Sequence, residues 1–271
     1  MSVRHFVGDE AVANTPDHDR GLAYGDGLFE TMRAHVGGVQ WWPAHWRRLA
    51  RGARALALEL PDQARVQREA AALLDGASGV LKLIVTRGAG GRGYALPESA
   101  IPHWILSLHD APPAAPEGGL ALRWCDTRLA LQPALAGLKH CNRLEQVLAR
   151  AEWRDPGTHE GLMLSADGDV VSATSANLFV LHGDRWMTPS VDRCGIAGVC
   201  REWAIDALQA AQARLAVTDV EAADAVFLCN AARGILPVTR LGARVWAPHP
   251  QVAHLRRRLA AEHPAFATEV A

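Results

Sequence analysis

The stretch Leu135-Ala-Gly-Leu-Lys139-His-Cys-Asn142-Arg-Leu-Glu-Gln146 contains one of only two lysines in this chain of 271 residues. The other basic side chains are arginines, whose guanidinium cannot attack a carbonyl group as a primary amine does. Apolar residues at helical spacing follow the loop, which predicts a helix with Asn142 as its N-cap. The positive end of a helix favours the neutral amine of a preceding lysine, so Lys139 is the candidate for amine chemistry.

The second lysine, Lys82, lies in the apolar and β-branched run of residues 80–86. Such a run predicts a strand, and we expect Lys82 at an edge or with its amine extended to solvent. A base-composition bias toward arginine that spared two positions is the alternative explanation for both lysines. The surroundings of Lys139 favour the chemical explanation.

Composition excludes several classes of function. Hydrophobic residues make up 49% of the chain and charged residues 21%, as in an ordinary folded protein. A net charge of −1 gives no electrostatic footprint for nucleic acid or for an anionic membrane. The five cysteines form no CxxC pair, so neither a metal site nor a disulfide framework is implied. No apolar signal region or membrane-spanning run is present, and we expect a cytoplasmic protein.

The segment of residues 109–120, HDAPPAAPEGGL, has the composition of a linker. It predicts an N-terminal domain of residues 1–108 and a C-terminal domain of residues 121–271 that carries Lys139. Consecutive strands without strict βαβ alternation predict the α+β class. Helices besides the one after Lys139 are predicted over residues 43–58, 63–74, 198–213 and 252–262. Strands are predicted over residues 32–39, 80–86, 101–108, 120–125, 161–164, 177–182, 185–187, 215–220 and 225–229.

A glycine-rich segment, Gly88-Ala-Gly90-Gly-Arg-Gly93, matches the GxGxxG pattern of dinucleotide-binding loops. In those proteins a helix follows the glycines, whereas this segment leads into another predicted strand. We therefore interpret it as a flexible loop in which Arg87 and Arg92 could hold a carboxylate bidentately. The alternative is that both arginines are solvated loop charges.

Three further stretches could contribute to a binding site. Arg48 lies at the edge of an apolar helix face and could reach an internal anion, although a surface arginine is the alternative. The glycines before the next predicted helix leave the amides of Val199 and Cys200 unpaired, and such amides can bind a phosphate. The alternative is that these glycines only allow a tight turn into the helix. Asn230 and Ala231, after a core strand, could line a cleft.

These segments occur in the order found in one family. Together they resemble the fold type IV pyridoxal-phosphate enzymes, the group of branched-chain and D-amino-acid aminotransferases, over essentially the whole chain. The segments TRGAGGRGY and LKHCNRLEQ most resemble the aminodeoxychorismate lyase branch. The matching segments are residues 19–31 (DRGLAYGDGLFET), 45–49 (HWRRL), 86–94, 137–146, 175–179 (SANLF) and 198–202 (GVCRE).

The resemblance implies a cofactor and a set of site residues. Lys139 would hold pyridoxal 5'-phosphate as a Schiff base in a homodimer, with the cofactor between the two domains. The phosphate would be bound by Arg48, Val199 and Cys200, and its side of the site closed by Asn230 and Ala231. Residues that would border the substrate, some of them in the partner subunit's site, are Tyr24, Phe29, Thr31, Arg87 and Arg92, with Arg143 a further candidate for a substrate carboxylate.

The implied reaction converts 4-amino-4-deoxychorismate to 4-aminobenzoate and pyruvate. Lys139 would act as general base, and Thr31 would assist when the departing enolpyruvate is protonated. Two alternatives remain open: an aminotransferase for a D- or branched-chain amino acid, and a non-catalytic protein that binds the cofactor.

One position departs from the family pattern. The family usually has a glutamate five residues before the asparagine of the ANLF motif, where it pairs with the pyridine nitrogen, and this chain has Ser172. A carboxylate would keep that nitrogen protonated, whereas a hydroxyl can only form a hydrogen bond. Transamination needs a cofactor ring that withdraws electrons strongly. An elimination that yields an aromatic ring needs this less. Ser172 therefore favours the lyase over the aminotransferase; loss of activity is the competing explanation.

Overall fold

The computed structural model describes residues 2–267, and the chain divides into two compact units. The first unit extends to Pro112 and also contains Leu138–Asn142, while the second contains Pro113–Gly137 and the chain from Arg143 onward. The division at Pro112 falls inside the predicted linker. Lys139, however, belongs to the first unit and not to the C-terminal domain in which the prediction placed it, because its segment pairs with a strand of the first sheet.

The first unit contains a six-stranded sheet, two long helices and one short helix. Its elements are β1 (Ser2–Val7), β2 (Glu10–Val12), α1 (Arg20–Tyr24), β3 (Gly27–His35), β4 (Gly38–Val39), α2 (Trp42–Ala55), α3 (Gln63–Leu74), β5 (Gly79–Thr86) and β6 (His103–His109). The strands lie in the order β2-β1-β6-β5-β3-β4, and every neighbouring pair is antiparallel.

Alternation along the strands gives this sheet two different faces. One face is buried against α2 and α3, in a core that includes Leu28 and Met32 of β3 and Leu81 and Leu83 of β5. The intervening residues are half-buried on the other face. We call this second face the lysine face and define it by Phe29, Thr31, Arg33, Lys82 and Ile84.

The two long helices have clear sequence signals. Asp62 caps α3, since its side chain accepts a hydrogen bond from the amide of Arg65, and the predicted bounds are confirmed. On α2, His45, Leu49 and Ala53 are buried, and their helical spacing places them on one side of the helix.

The second unit contains a nine-stranded mixed sheet. Its elements are β7 (Leu120–Trp124), α4 (Leu144–Arg150), β8 (Glu160–Leu164), β9 (Val170–Ala173), β10 (Asn177–His182), β11 (Arg185–Pro189), α5 (Val199–Leu208), β12 (Ala211–Ala213), α6 (Val217–Glu221), β13 (Ala225–Asn230), β14 (Gly234–Leu241), β15 (Arg244–Val245) and α7 (Pro250–Glu262). The order is β12-β11-β10-β13-β14-β7-β8-β9, with β15 paired to β14. Mixed and antiparallel sheets with separate helices confirm the α+β class.

Two elements predicted for the second unit differ from the structure in type or in extent. The predicted strand over residues 215–220 contains the helix α6, because the Asp219 carboxylate accepts a hydrogen bond from the amide of Ala216 and caps the turn. The helix predicted over residues 198–213 ends at Leu208, where Gln209 adopts a left-handed conformation with φ 50°. After it, β12 pairs parallel to β11.

The helix after Lys139 begins at Leu144, later than predicted. Arg143 is its N-cap residue, and no side chain caps the helix. Because Lys139 lies in an extended segment five residues earlier in the sequence, the expected effect of the helix dipole on its amine loses its basis. The apolar side of α4 is exposed, with Leu144 76%, Val147 60% and Leu148 61% accessible.

Within residues 2–267, no helix combines the length and the apolar character needed to cross a lipid bilayer.

Candidate active site

The backbone of the first sheet holds Lys139. The amide of Phe29 donates to the Lys139 carbonyl at 2.9 Å, and the amide of Cys141 donates to the Gly27 carbonyl at 2.9 Å. An antiparallel bridge between Leu28 and His140 lies between these two bonds. This register sets Lys139 opposite Phe29, so its side chain belongs to the lysine face. The Lys139 Nζ atom lies 4.3 Å from the centre of the Phe29 ring.

The other lysine approaches the same ring. Lys82 lies on β5 directly opposite Thr31, and its Nζ atom is 5.5 Å from the centre of the Phe29 ring. The edge position expected for Lys82 is wrong, because β5 lies between β3 and β6. Lys82 is a charged residue within an otherwise apolar strand. This pattern was the signal that could have pointed to Lys82 as a candidate site residue.

Beneath Phe29, on the buried face of β3, Glu30 accepts three hydrogen bonds. His45 Nδ1 lies 2.6 Å from its carboxylate, Arg48 Nε donates at 2.8 Å, and Arg48 Nη2 donates to the second oxygen. Burial alone would raise the pKa of Glu30, but the charge and hydrogen bonds of Arg48, with the bond from His45, lower it to about 2. Burial also lowers the pKa of His45; the hydrogen bond and charge of Glu30 oppose this effect, and the charges of Arg48 and Lys139 add to it. The internal anion that Arg48 reaches is therefore the carboxylate of Glu30.

The prediction that Arg87 binds a substrate carboxylate is not supported by its contacts. Its guanidinium donates twice to the carboxylate of Asp26, at 2.8 and 3.0 Å, and once each to the carbonyls of Leu56 and Ala57. Burial alone would raise the pKa of Asp26, but Arg87 and Arg20 lower it. Arg87 therefore stabilises the turn before β3 by binding Asp26. Sequence reasoning missed this pairing because Asp26 is 61 residues away in the chain.

The glycine-rich segment connects β5 to β6 and contains no helix, so it is not a dinucleotide-binding loop. It lies against α1: Arg20 donates to the carbonyl of Gly93 at 3.0 Å, and the amide of Gly93 donates to the Tyr24 hydroxyl at 3.2 Å. Tyr24 is partly exposed and packs edge-on against Tyr94. Arg92 is exposed in this loop.

Asn142 was predicted to be the N-cap of the helix after Lys139, but it does not cap α4. Its side-chain amide donates to the carbonyl of Gly25 at 3.2 Å, which joins the Lys139 segment to the turn after α1. A Cβ at Gly25 would lie 2.4 Å from Asn142 Oδ1, and Gly25 has φ 66°, so this turn requires glycine. Arg143 is half-buried at the start of α4.

In the second unit, the N-terminus of α5 presents main-chain amides. Gly198 is its N-cap, and no side chain caps the helix. The residues after it, Val199 and Cys200, are buried, and burial raises the pKa of the Cys200 thiol, so their backbones are the groups available to an anion. A Cβ at Gly198 would collide with Asn177 Oδ1, so a larger residue there would displace the Asn177 side chain.

The loops beside this helix are held by side-chain amides. Asn177 donates to the carbonyl of Ile196 at 2.9 Å. Asn230 accepts from the amide of Arg233 at 2.8 Å and donates to the carbonyl of Ser175 at 3.2 Å, so it fixes the turn that contains Ala231. Ser172 is half-buried on β9, opposite Met163.

Comparison with known proteins identifies the family. The model of the family described as amino-transferase class IV matches residues 27–241. The chain belongs to the class IV aminotransferase family. The aminodeoxychorismate lyase of Vibrio harveyi is 35% identical over 256 residues, 91% of this chain and 94% of the relative. A D-alanine aminotransferase of Listeria innocua is 26% identical over 82% of this chain and 81% of its own.

Solved structures of the family share the fold. The structure of 4-amino-4-deoxychorismate lyase from Pseudomonas aeruginosa superposes with a TM-score of 0.88 at 43% identity, over 96% of this chain and 99% of that one. The branched-chain aminotransferase of Escherichia coli gives a TM-score of 0.83 at 18% identity, over 98% and 96% of the two chains, which shows the fold alone.

Enzymes of this family depend on pyridoxal phosphate. The residues present here fit that cofactor. In the first unit, Lys139 has the kind of primary amine that an aldehyde requires. In the second unit, the N-terminus of α5 has no side-chain cap and has the kind of free amides that suit a phosphate.

Proposed function

We propose that this protein is a pyridoxal-phosphate-dependent lyase that converts 4-amino-4-deoxychorismate to 4-aminobenzoate and pyruvate, a step toward folate. The observation that carries the proposal is the position of the Lys139 amine over the Phe29 ring, on the face that also presents Thr31. The lyases of Vibrio harveyi and Pseudomonas aeruginosa, at 35% and 43% identity, support the choice of substrate.

Each unit contributes residues of a kind that the cofactor needs. Bound pyridoxal phosphate supplies an aldehyde carbon for amines and a ring that stabilises negative charge. Lys139 would hold the cofactor through its aldehyde, and Ser172 would hydrogen-bond its pyridine nitrogen. The groups that would bind or enclose the phosphate are the amides of Val199 and Cys200, the loop at Asn230 and Ala231, and Arg48, whose guanidinium also donates to Glu30.

Lys139 also moves the proton. The Lys139 amine would act as general base toward the substrate and accept the proton from the ring carbon that bears the nitrogen. The bond between the neighbouring ring carbon and the enolpyruvyl oxygen breaks, and the ring becomes aromatic. Thr31, two residues beyond Phe29 on the lysine face, assists Lys139 in protonating the departing enolpyruvate, which becomes pyruvate.

The substrate is bordered by aromatic and cationic side chains. Phe29 and Tyr24 provide apolar surface, and Lys82, Arg92 and Arg143 are the candidates for the substrate carboxylates. Arg87 is not among them, because its guanidinium is bound to Asp26 and to two carbonyls.

The test is the formation of 4-aminobenzoate from aminodeoxychorismate by the purified, cofactor-loaded protein, with and without prior treatment with borohydride. Borohydride converts the linkage between a lysine amine and an aldehyde into a stable amine. We expect product before treatment and none afterwards. Peptide mass mapping should then find the reduced cofactor on Lys139.

The same assay separates the alternatives. Amino transfer that depends on an added keto acid, without 4-aminobenzoate, would identify an aminotransferase. A yellow protein that turns over neither kind of substrate would be a cofactor-binding homologue.

A homodimer is part of this proposal. The exposed apolar residues Leu144, Val147 and Leu148 lie at helical spacing on one side of α4. Such a stripe is typical of an interaction surface, and a second copy of the chain is the partner we propose for it.

A further inference from the structure

Arg33 is a half-buried arginine whose Nε atom has no hydrogen-bond partner in the described part of the chain. It lies on β3, two residues beyond Thr31, and is half-buried on the lysine face. Its Nε atom is buried and has no hydrogen-bond partner among residues 2–267, and it forms no ion pair with any of them. Burial lowers the pKa of Arg33. Because an unpaired buried donor destabilises a folded chain, this arrangement is expected where a ligand completes the bonds.

The neighbours of Arg33 leave its charge uncompensated. It lies opposite Val80 on β5, so Lys82 is its diagonal neighbour, at a backbone separation of about 7–8 Å. Lys82 forms no ion pair with residues 2–267 either. On the strands β1, β3, β5 and β6 no aspartate or glutamate lies on the lysine face. The nearest such residue on the sheet is Glu10, which is on β2, four strands from β3.

Two cations that lie this close together on a face without carboxylates suit a ligand with two negative charges. The guanidinium of Arg33 can bind a carboxylate through two parallel hydrogen bonds, and the ammonium of Lys82 can bind the other as a point charge. Partial burial strengthens both interactions.

We infer that Arg33 binds the second carboxylate of a dicarboxylate substrate and thereby selects such substrates over amino acids with one carboxylate. This inference rests on the proposed function, which supplies a substrate with one carboxylate on the ring and one on the enolpyruvyl group. A substrate with a single carboxylate leaves one of the two half-buried cations, Arg33 or Lys82, unpaired, which lowers the affinity for that substrate.

Chorismate is the probe for this site. It carries both carboxylates but has a hydroxyl group in place of the amine, so it can bind without reacting with the aldehyde. The dissociation constant for chorismate is measured by titration calorimetry with the cofactor-loaded protein and with the variants Arg33→Gln and Arg33→Lys. Arg68→Gln is the matched control, because Arg68 is exposed on α3 at the opposite face.

Arg33→Gln should weaken chorismate binding by about 10- to 100-fold, the usual effect of losing a charge-assisted pair. Arg33→Lys should recover part of the affinity, and Arg68→Gln should bind as the unaltered protein does. In turnover of aminodeoxychorismate, Arg33→Gln should raise KM and leave kcat nearly unchanged, because the contact is the same in substrate and transition state.

Several outcomes would overturn the inference: no binding of chorismate by the unaltered protein, equal binding by Arg33→Gln, or an equal loss in Arg68→Gln. A change of oligomeric state in Arg33→Gln without loss of chorismate binding would assign Arg33 to a subunit contact instead. Formation of 4-aminobenzoate by the unaltered protein is scored separately. Chorismate binding that depends on Arg33, in a protein that forms no 4-aminobenzoate, would support this inference and reject the proposed reaction.

Discussion

Lys139 and Lys82 lie near one aromatic ring, yet only one of them is expected to carry the cofactor. Lys139→Ala should abolish turnover together with the yellow colour of the loaded protein, because the amine that binds the aldehyde is lost. Lys82→Ala should keep the colour and raise KM, since we assign Lys82 to a substrate carboxylate. Absorbance spectra and initial rates of both variants check this. Colour that persists in Lys139→Ala and vanishes in Lys82→Ala would exchange the two assignments.

Ser172 offers a second test at a single residue. Ser172→Glu should raise the rate of amino transfer relative to that of lyase turnover, because a carboxylate stabilises a proton on the pyridine nitrogen. Ser172→Gln is the matched control, with nearly the same size and no charge. The measurement is the ratio of the two rates with aminodeoxychorismate and with an amino acid plus keto acid. An unchanged ratio in Ser172→Glu would remove the argument that Ser172 favours elimination.

The sequence made Lys139 the candidate for amine chemistry but did not indicate which strand supports it. A scarce amine beside a small-residue loop is visible in the residues themselves, whereas its pairing with Phe29 depends on a strand more than one hundred positions earlier in the chain. The same applies to Arg87, whose charge suggested a ligand until its bonds to Asp26 were seen. Whether an arginine or lysine pairs within the protein or is available to a ligand depends on residues that are distant in the sequence.

At the scale of elements, the contact between α2 and β3 depends on the charge of Glu30. Its pKa is about 2, below the ordinary value of 4.5, so its ionised form stabilises the folded state. That contribution, about 3 kcal/mol, is complete above the unfolded-state pKa and is lost as the pH falls from about 4.5 to 2.

Glu30→Gln should therefore lower the free energy of unfolding by about 3 kcal/mol at pH 7 and by much less near pH 3. Urea unfolding at the two pH values measures the difference, with Glu59→Gln as an exposed control. An equal loss at both pH values would mean that packing, and not the charge, accounts for the effect of Glu30.

Elements with local signals were predicted well. The bounds of α3 follow from Asp62 and its apolar spacing, and β10 from a continuous apolar run. The strand expected over residues 215–220 was wrong because β-branched residues outweighed the capping carboxylate of Asp219 in that interpretation. The elements β1, α1 and β14 were not predicted, since their sequences mix polar and apolar residues without a clear period.

At the scale of the whole molecule, the apolar side of α4 bears on assembly. Leu148→Asp should weaken the proposed dimer by about tenfold or more, because it places an unpaired charge in an apolar contact. Val245→Asp is the control, since Val245 is 65% exposed and lies on β15. Sedimentation velocity over a range of concentrations measures both. A dimer of unchanged strength in Leu148→Asp would exclude this side of α4 as the interface.

The return of Leu138–Asn142 to the first unit has a consequence for how this chain can be divided. A fragment that ends at Pro112 would lack the segment that pairs with Gly27 and Phe29, so this part of β3 would become an open strand edge. Open edges recruit other strands, so such a fragment should aggregate unless a peptide of residues 138–142 is supplied. The two units therefore alternate along the chain, and cutting the chain at Pro112 separates Lys139 from the strand β3 that positions it.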